Sequence, residues 1–292
     1  MAEPKPPARI LVCTALAMLA FAGNSLLCRA ALRDTRIDPA TFTAVRIVSG
    51  ALVLWLIVRL RGAPVRGAGD WISALALFAY AAAFSYAYVG LPAGTGALLL
   101  FGAVQATMIG GGLRAGERLH AGGAGGLVLA VAGLVGLLLP GLSAPPAAAA
   151  LLMLAAGVAW GVYSLRGKGA GEPTRTTAGN FLRAVPFAAV LALAALPWAS
   201  TDVRGTCYAA ASGALTSGIG YAIWYAALKH LRAIHASAVQ LSVPVIAAIG
   251  GIMLLGEHPT LRLLLGSVAI LGGIALVMLE RRGSSPRRNG PA

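Results

Sequence analysis

The sequence has few charged residues: Asp, Glu, Lys and Arg together make up 11% of its 292 residues. Soluble domains carry roughly 25% charged residues, which cover the surface that faces water. Hydrophobic residues reach 58% here, and the mean hydropathy is +0.81. A chain of this composition lacks the polar surface that a water-soluble protein needs. We therefore expect an integral membrane protein.

Groups that carry catalysis or bind metals are equally scarce. The chain contains nine acidic residues, four histidines and three cysteines, and their spacing matches no metal-ligand pattern. The sequence also lacks a phosphate-binding glycine loop and a nucleophile motif. We expect no cofactor, no metal and no enzymatic activity. A membrane-embedded enzyme that acts on lipid is the remote alternative.

Long hydrophobic runs, by contrast, fill the chain. A helix needs about 20 apolar residues to cross a bilayer core of roughly 30 Å, and ten segments of this chain meet that requirement. They lie near residues 9–31, 40–60, 71–90, 93–113, 121–140, 146–166, 178–198, 206–228, 232–254 and 261–280. Because the connections are short, neighbouring helices are predicted to run antiparallel. The predicted fold class is an all-α integral membrane protein with ten transmembrane helices.

Basic residues outnumber acidic ones by 23 to nine, which gives a formal net charge of +14. Lys and Arg concentrate in the cytoplasmic loops of membrane proteins, and most basic residues here lie on the same side as the N-terminus. Both termini are therefore predicted to be cytoplasmic, in a multi-pass protein of the bacterial inner membrane. Since orientation explains the basic excess, we expect no nucleic-acid partner. The predicted partners are the lipid bilayer and a small-molecule substrate, and we favour a monomer over a homodimer.

Two stretches half a chain apart repeat the same pattern. A Gly-Glu pair separates two apolar runs at Gly116 and Glu117, and again 140 positions later at Gly256 and Glu257. Nearly the same shift aligns the first span with the sixth and the second span with the seventh. Because each unit has five spans, an odd number, the second unit enters the membrane upside down. Such inverted repeats are the plan of many secondary transporters, whose substrate site lies at the midplane between the halves.

With ten spans, an arginine early in the second and seventh, and Gly-Glu after the fourth and ninth, the chain resembles the drug/metabolite transporter superfamily. Within this superfamily, the chain is similar over residues 9–280 to the EamA-type exporters, which include bacterial exporters of amino acids and metabolites. The resemblance implies two EamA-like five-helix repeats, 9–140 and 146–282, between cytoplasmic tails at 1–8 and 283–292. It further implies a central cavity inside helices one, three, four, six, eight and nine, with helices five and ten packed outside.

Two arginines, Arg46 and Arg183, lie several residues inside spans two and seven. A charge in the hydrocarbon region is costly, so such side chains extend to the interface, pair with a partner or face water. We favour extension to the interface or hydrogen bonds to helix-end carbonyls. Contact with an anionic group of the substrate at the cavity mouth is the alternative.

The repeated Gly-Glu pairs are predicted to be structural. Glu117 and Glu257 lie at the membrane edge, where a carboxylate can cap the N-terminus of the helix that follows. Gly116 and Gly256 permit backbone angles that other residues avoid, so either can serve as a hinge. Pro244 has no counterpart in the fourth span, and only the second half is expected to carry a proline kink.

Aromatic and amide side chains near mid-span are the candidates for the cavity lining. Rings offer apolar faces, and amides and hydroxyls add a few polar contacts, which suits small amphipathic molecules. Ordinary packing or an interfacial aromatic belt is the alternative, and we favour it for Tyr88 and Tyr221. The predicted cavity residues are Asn24, Tyr80, Phe84, Gln105, Trp160, Tyr163, Trp224, Tyr225 and Gln240.

The acidic residues all fall at span edges, in loops or in tails, so no mid-membrane carboxylate is expected to carry protons. We expect a facilitative transporter that exports small metabolites, above all amino acids of aromatic or apolar type, by alternating access. The alternative is a multidrug or nucleotide-sugar-like carrier of the same superfamily. A cation site would usually need an intramembrane carboxylate, and a large anion would need more intramembrane basic residues.

Overall fold

The computed structural model describes residues 8–62, 68–114, 116, 121–139, 144–167, 172–228 and 239–283, with the backbone alone described for 228 and 280–283. Within these ranges the chain is helical apart from short connections. The helices are α1 (Ala8–Asp34), α2 (Pro39–Leu60), α3 (Trp71–Tyr88), α4 (Ala93–Arg114), α5 (Ala121–Leu138), α6 (Ala147–Gly167), α7 (Pro173–Ala194), α8 (Val203–Ala211, continued by Ser212–Ile219 and Gly220–Leu228), α9 (Ser242–Leu255) and α10 (Leu261–Gly283).

By length and composition, eight of the described helices can cross a membrane. The other two are α8, which a π-helical stretch interrupts, and α9, of which Ser242–Leu255 is described. The predicted all-α, ten-helix fold is therefore confirmed. The largest shift from the predicted spans is in α7, which begins at Pro173 rather than at residue 178.

Acidic side chains fix where several helices begin. Each of these N-cap residues accepts hydrogen bonds from first-turn N–H groups that would otherwise lack a partner. The residues are Asp38, Asp70, Glu172 and Asp202. Pro39 and Pro173 follow two of them, at a helical position that needs no N–H donor. The early start of α7 thus follows from its Glu-Pro signal rather than from hydropathy.

The bundle has two ends, which we name after residues that lie there. At the Arg29 end, Arg29 at the close of α1 contacts the ends of α3 and α9. At the Asp70 end, Asp70 at the start of α3 bonds Arg166 at the close of α6. Helix α6 starts at the Arg29 end, where its residue Ala149 lies beside Gly90. Helices α1 and α6 therefore run in opposite directions, as an inverted repeat requires.

The two halves interlock rather than lie side by side. Helices α3 and α4 pack on α6, α2 packs on α7 and α8, and α1 packs on α8 and α9. Glycines allow the closest of these approaches, because a Cβ atom at Gly157 would collide with Ala103 on α4. A Cβ at Gly213 would likewise collide with the backbone carbonyl of Arg46. The centre of the bundle is thus built from both halves.

Helices α5 and α10 form a pair outside this core. Gly126 lies against the backbone of Gly273, and Gly133 lies against Ala269 and Ile270. Small residues let helix backbones approach closely in a membrane. The glycine-rich faces that the sequence shows on these two helices are therefore used within the chain, to join one half to the other.

The repeated glycines have positive φ angles, +90° at Gly116 and +62° at Gly256. These are backbone angles that glycine permits and other residues avoid. At the end of α9, where Gly256 is left-handed, the N–H of Glu257 donates to the carbonyl of Gly251 at 3.0 Å, which gives one of the last helical carbonyls a partner. Glu117 lies outside the described residues.

Helix α9 is interrupted near its proline. Residues 239–240 are helical, a turn follows at Leu241, and the helix restarts at Ser242 with Pro244 in its first turn. Proline has no N–H to donate to the carbonyl four residues earlier, so the ladder of helical hydrogen bonds breaks there. Helix α4 continues unbroken through the equivalent Val104.

Candidate functional site

A small cavity of about 20 Å³ lies at the centre of the bundle, where the two halves meet. Helices α1, α3 and α4 of the first half and α6 and α8 of the second half contribute to its wall. The lining residues are Phe21, Asn24, Ser25, Tyr80, Phe84, Leu100, Phe101, Trp160, Thr216 and Tyr221. This volume holds roughly one water molecule, so a metabolite could enter only if the halves moved apart.

Aromatic rings from both halves contact each other around this cavity. The centroid of Tyr80 lies 4.8 Å from that of Trp160 and 5.4 Å from that of Phe84. Tyr221 lies 5.1 Å from Trp160 and 5.8 Å from Phe21. Tilted and edge-on geometries of this kind are favourable for aromatic pairs. The rings therefore form a continuous wall that bridges the two repeats.

Asn24 is the polar centre of the cavity wall. Its Nδ2 donates to the hydroxyl of Tyr80 at 3.2 Å. Its Oδ1 accepts hydrogen bonds from the hydroxyls of Ser212 at 2.7 Å and Thr216 at 3.3 Å. Because Asn24 and Tyr80 belong to the first half and the two hydroxyls to the second, this network also joins the repeats.

The two hydroxyls belong to a π-helical stretch, Ser212–Ile219, in the middle of α8. A π-helix bonds residue i to residue i+5, and such stretches occur frequently at functional sites. Ser212 and Ser217 are five residues apart, so both are turned toward the bundle centre, where they are buried. The sequence analysis did not single out these residues. The low helix propensity of "SGALTSG" in mid-span is the signal that could have found them.

Arg46 lies at the same centre, and its side chain is only 2% exposed. Its Nη2 donates to the Tyr80 hydroxyl at 3.0 Å, and its Nε donates to the Ser217 hydroxyl at 3.4 Å. The guanidinium carbon lies 4.9 Å from the centroid of the Phe84 ring. The predicted interfacial position is therefore wrong for Arg46, because α2 packs against the π-helical stretch and encloses the side chain.

Arg183, its counterpart in the second half, lies at the Asp70 end. Its Nη1 donates to the carbonyls of Ala68 and Gly179, and its guanidinium lies 6.0 Å from the ring of Trp71. These are the backbone-carbonyl contacts that the sequence analysis favoured. Two arginines at equivalent sequence positions therefore have different surroundings.

Comparison with known proteins agrees with this architecture. The EamA-like transporter family matches the chain twice, at residues 8–139 and 147–279. The chain belongs to the EamA-like transporter family. An uncharacterised protein of Pseudomonas aeruginosa is 58% identical over 283 residues, which is 97% of this chain and 99% of the relative. A protein crystal structure with 20% identity superposes with a TM-score of 0.66 over 94% of this chain and 99% of its own, which supports the fold.

Four of the residues predicted for the cavity of this EamA-like transporter do line it: Asn24, Tyr80, Phe84 and Trp160. Tyr221, for which the sequence favoured packing or an interfacial belt, is packed among other rings and also lines the cavity. Trp224, predicted for the lining, packs its ring 5.8 Å from that of Phe21 instead. On α8, then, the lining position is three residues earlier than predicted.

The remaining predicted cavity residues lie away from the lining. Tyr163 stacks on Trp160 at 5.3 Å and accepts a hydrogen bond from Asn180. Gln105 is buried, and its Nε2 has no hydrogen-bond partner among the described residues. Tyr225 and Gln240 are half-buried, and neither belongs to the cavity wall.

Charged side chains close the Arg29 end of the transporter. The Nε of Arg29 donates to Glu257 Oε1 at 3.2 Å, and its Nη1 donates to the carbonyls of Tyr88 and Val89. Glu257 Oε2 accepts a hydrogen bond from the N–H of Ala93 at 2.8 Å. The carboxylate therefore caps α4 rather than the helix that follows it, which corrects the prediction. Its negative charge suits the positive end of the α4 dipole.

A second clasp at this end joins the α1–α2 connection to the α7–α8 connection. The N–H of Ser200 donates to Asp38 Oδ2 at 3.0 Å, and the N–H of Asp38 donates to the Ser200 carbonyl at 2.9 Å. Partial burial opposes ionisation of Asp38, but hydrogen bonds from Thr41, Ser200 and Ala40 outweigh it and hold its pKa below the usual value. Among the described residues, contacts between the halves therefore hold the Arg29 end together, as the Asp70–Arg166 ion pair and the Asp70–Asn180 hydrogen bond do at the Asp70 end.

A larger cavity of about 440 Å³ lies at the Arg29 end between α4, α9 and α10. Pro244, Ala248 and Ile252 of α9 contribute to its mostly apolar wall, and Glu257 lies at its edge. Binding sites usually combine apolar walls with several converging polar groups. The wall of this larger cavity also includes Thr95, Glu257, His258, Thr260 and Ser267. It lies at one end of the bundle, however, whereas carriers built from inverted repeats bind substrate near the midplane. The centre is therefore the better candidate site.

Proposed function

We propose that this EamA-like transporter exports small metabolites, and amino acids with apolar or aromatic side chains above all, across the bacterial inner membrane by alternating access. The observation that supports this most is the aromatic cavity between the two inverted halves. In transporters built from inverted repeats, the substrate binds near the midplane at the interface of the repeats. Here both halves contribute rings and hydroxyls to one wall.

The cavity wall offers the contacts that a small amphipathic molecule needs. The faces of Trp160 and Tyr221 would hold an apolar or aromatic side chain. An ammonium group would bind over a ring face or beside the side-chain oxygens of Asn24 and Thr216. In the present state the cavity has room for about one water molecule, so binding of a metabolite requires the wall to open.

Closure at the Arg29 end fits one state of an alternating-access cycle. With both termini in the cytoplasm, as the distribution of basic residues predicts, the Arg29 end faces the periplasm. The structure would then represent a state closed to the periplasm. Release of an exported substrate would require the Arg29–Glu257 ion pair and the Asp38–Ser200 clasp to separate.

We further propose facilitative transport without proton coupling. Six acidic residues have described side chains, and each has a local role at a helix end: Asp34, Asp38, Asp70, Glu172, Asp202 and Glu257. Coupled carriers usually place a carboxylate inside the membrane to relay protons. Counterflow by the purified protein should therefore be unchanged by a protonophore, and strict dependence on a pH gradient would refute this part of the proposal.

The experiment for the main proposal is counterflow of radiolabelled amino acids in proteoliposomes. Trp160→Ala and Asn24→Ala should each lower the rate, because both side chains line the cavity. Trp198→Ala is the matched control, since this tryptophan is 78% exposed, lies in the connection between α7 and α8 and is not part of the cavity wall. Transport of every amino acid at the rate of empty liposomes would refute the substrate class.

Orientation can be tested by labelling with a membrane-impermeant maleimide on intact cells. In a Cys207→Ser background, Thr201→Cys should react, because this exposed residue lies at the Arg29 end. Arg61→Cys, which is also exposed but lies beyond the other end of α2, should react only after the cells are opened. The reverse pattern would place the Arg29 end in the cytoplasm.

A further inference from the structure

We propose that the guanidinium of Arg46 binds the carboxylate of the transported substrate. This inference rests on the proposed function, since it assigns one group of an amino acid to one residue of the central site. The first observation is an incomplete set of hydrogen bonds. Nε and Nη2 of Arg46 have partners, whereas the buried Nη1 has none among the described residues.

The second observation is that the charge of Arg46 is uncompensated. Three ion pairs occur among the described residues, and all of them lie at the ends of the bundle. The neighbours of Arg46 at the centre, Tyr80, Ser217 and Phe84, are hydroxyls and an aromatic ring that carry no countercharge. A buried charge without a partner is strongly unfavourable. A negatively charged group of the substrate would supply that partner.

The third observation is where Arg46 lies relative to the cavity. The hydroxyl of Tyr80 accepts hydrogen bonds from both Arg46 and Asn24, so Arg46 is one residue removed from the main polar group of the lining. A guanidinium presents paired N–H groups that match the two oxygens of a carboxylate. Arg46 is not itself part of the cavity wall, so a carboxylate would reach Nη1 only when the wall opens, as binding of a metabolite already requires.

Binding at this position would also couple the substrate to the movement of the halves. Arg46 and Tyr80 belong to the first half, and Ser217 belongs to the π-helical stretch of the second half. A ligand that contacts both halves stabilises most the conformational state in which it makes the most favourable contacts. The anion is therefore expected to favour the state in which these contacts are formed.

The test compares ligands that differ in one group on the unmodified protein. The probes are L-phenylalanine, L-phenylalaninamide, 3-phenylpropionate and phenethylamine, and the readout is the thermal shift in detergent at matched ionic strength. The two carboxylates should stabilise the protein at about tenfold lower concentration than the two probes without one, because hydrogen bonds to a charged group are the stronger ones. Equal effects of L-phenylalanine and its amide would overturn the proposal.

Variants then assign the effect to a residue. Arg46→Gln should remove the preference for carboxylates, and Arg46→Lys should retain part of it. Arg183→Gln is the matched control, because this arginine is bonded to backbone carbonyls at the Asp70 end. If Arg46→Gln folds poorly, Arg46→Lys and the ligand comparison on the unmodified protein still decide the question. A preference that survives in Arg46→Lys and Arg46→Gln at full strength would overturn it.

The outcomes separate this inference from the proposed function. Amino-acid counterflow with no preference for a carboxylate would keep the function and reject the role of Arg46. Stabilisation by 3-phenylpropionate that depends on Arg46, without any amino-acid transport, would keep the anion subsite and reject the substrate class.

Discussion

The two intramembrane arginines show how one duplicated sequence feature can have two different surroundings. Arg46 lies at the bundle centre with one nitrogen free of partners among the described residues, whereas Arg183 bonds the carbonyls of Ala68 and Gly179. Both arginines lie in the second helix of their repeat. A shift in sequence close to the one that superimposes the repeated Gly-Glu pairs also superimposes the two arginines. Sequence symmetry therefore does not fix chemical equivalence.

The difference arises from the helices opposite them. Arg46 faces the π-helical part of α8, where Gly213 allows the two backbones to approach and Ser217 supplies a hydroxyl. The corresponding helix of the first half, α3, is a regular α-helix over its whole length. A single irregular stretch thus makes one arginine part of the central site and leaves the other at a helix end.

The largest expected effect comes from removing each arginine in turn. Arg46→Gln should lower kcat/KM for amino-acid counterflow by about 30-fold or more, because losing one partner of a buried charge pair costs about 2 kcal/mol or more. Arg183→Gln should change the rate by less than about threefold, since its contacts hold a loop and not the substrate. Similar losses in both variants would contradict the distinction drawn between them.

The second prediction concerns the close contact that encloses Arg46. Gly213→Ala should lower the free energy of unfolding by about 1 to 3 kcal/mol, because the added Cβ would meet the Arg46 carbonyl and force the helices apart. Gly125→Ala is the control, since its Cβ would have nothing within 4 Å. Replacing an exposed helical glycine by alanine is neutral or stabilising. Thermal unfolding in detergent, followed for both variants, measures the difference.

A third prediction separates a partly buried charge pair from an exposed one at the Arg29 end. Glu257→Gln should destabilise the protein by about 1 to 2 kcal/mol, because it removes a charge that both Arg29 and the N-terminus of α4 stabilise. Asp34→Asn breaks an exposed pair with Arg33, and such pairs contribute at most about 1 kcal/mol. A larger loss in Asp34→Asn than in Glu257→Gln would contradict this ranking.

Much of the fold could be predicted from the sequence because hydrophobic length and capping residues act locally. The ten spans and the interruption of α9 near Pro244 follow from features that lie within one helix, and the antiparallel order follows from the short connections. The partner of Glu257 could not be predicted in this way. Its carboxylate caps α4 through Ala93, a residue 164 positions away, and only the packed bundle brings the two together.

The candidate site shows the same limit. Asn24, Tyr80 and Trp160 were predicted because polar and aromatic groups near mid-span are rare. On α8, the π-helical stretch Ser212–Ile219 turns everything that follows it by an amount that regular α-helical spacing does not predict. Tyr221 and Trp224 both follow it, and of the two Tyr221 lines the cavity whereas Trp224 packs against Phe21.

The smallest expected effect compares the clasp at Asp38 with and without its charge. The folded-state pKa of Asp38 lies below its usual value, since the hydrogen bonds that oppose the effect of burial favour the ionised form. A depressed pKa contributes stability above the unfolded value, about 3.9 for Asp, and that stability is lost as the pH falls toward the folded value. Asp38→Asn keeps an N-cap acceptor for α2 but has no charge to lose. Between pH 6 and pH 3, the melting temperature should therefore fall more in the unmodified protein than in Asp38→Asn, and parallel curves would show that this clasp does not depend on ionisation.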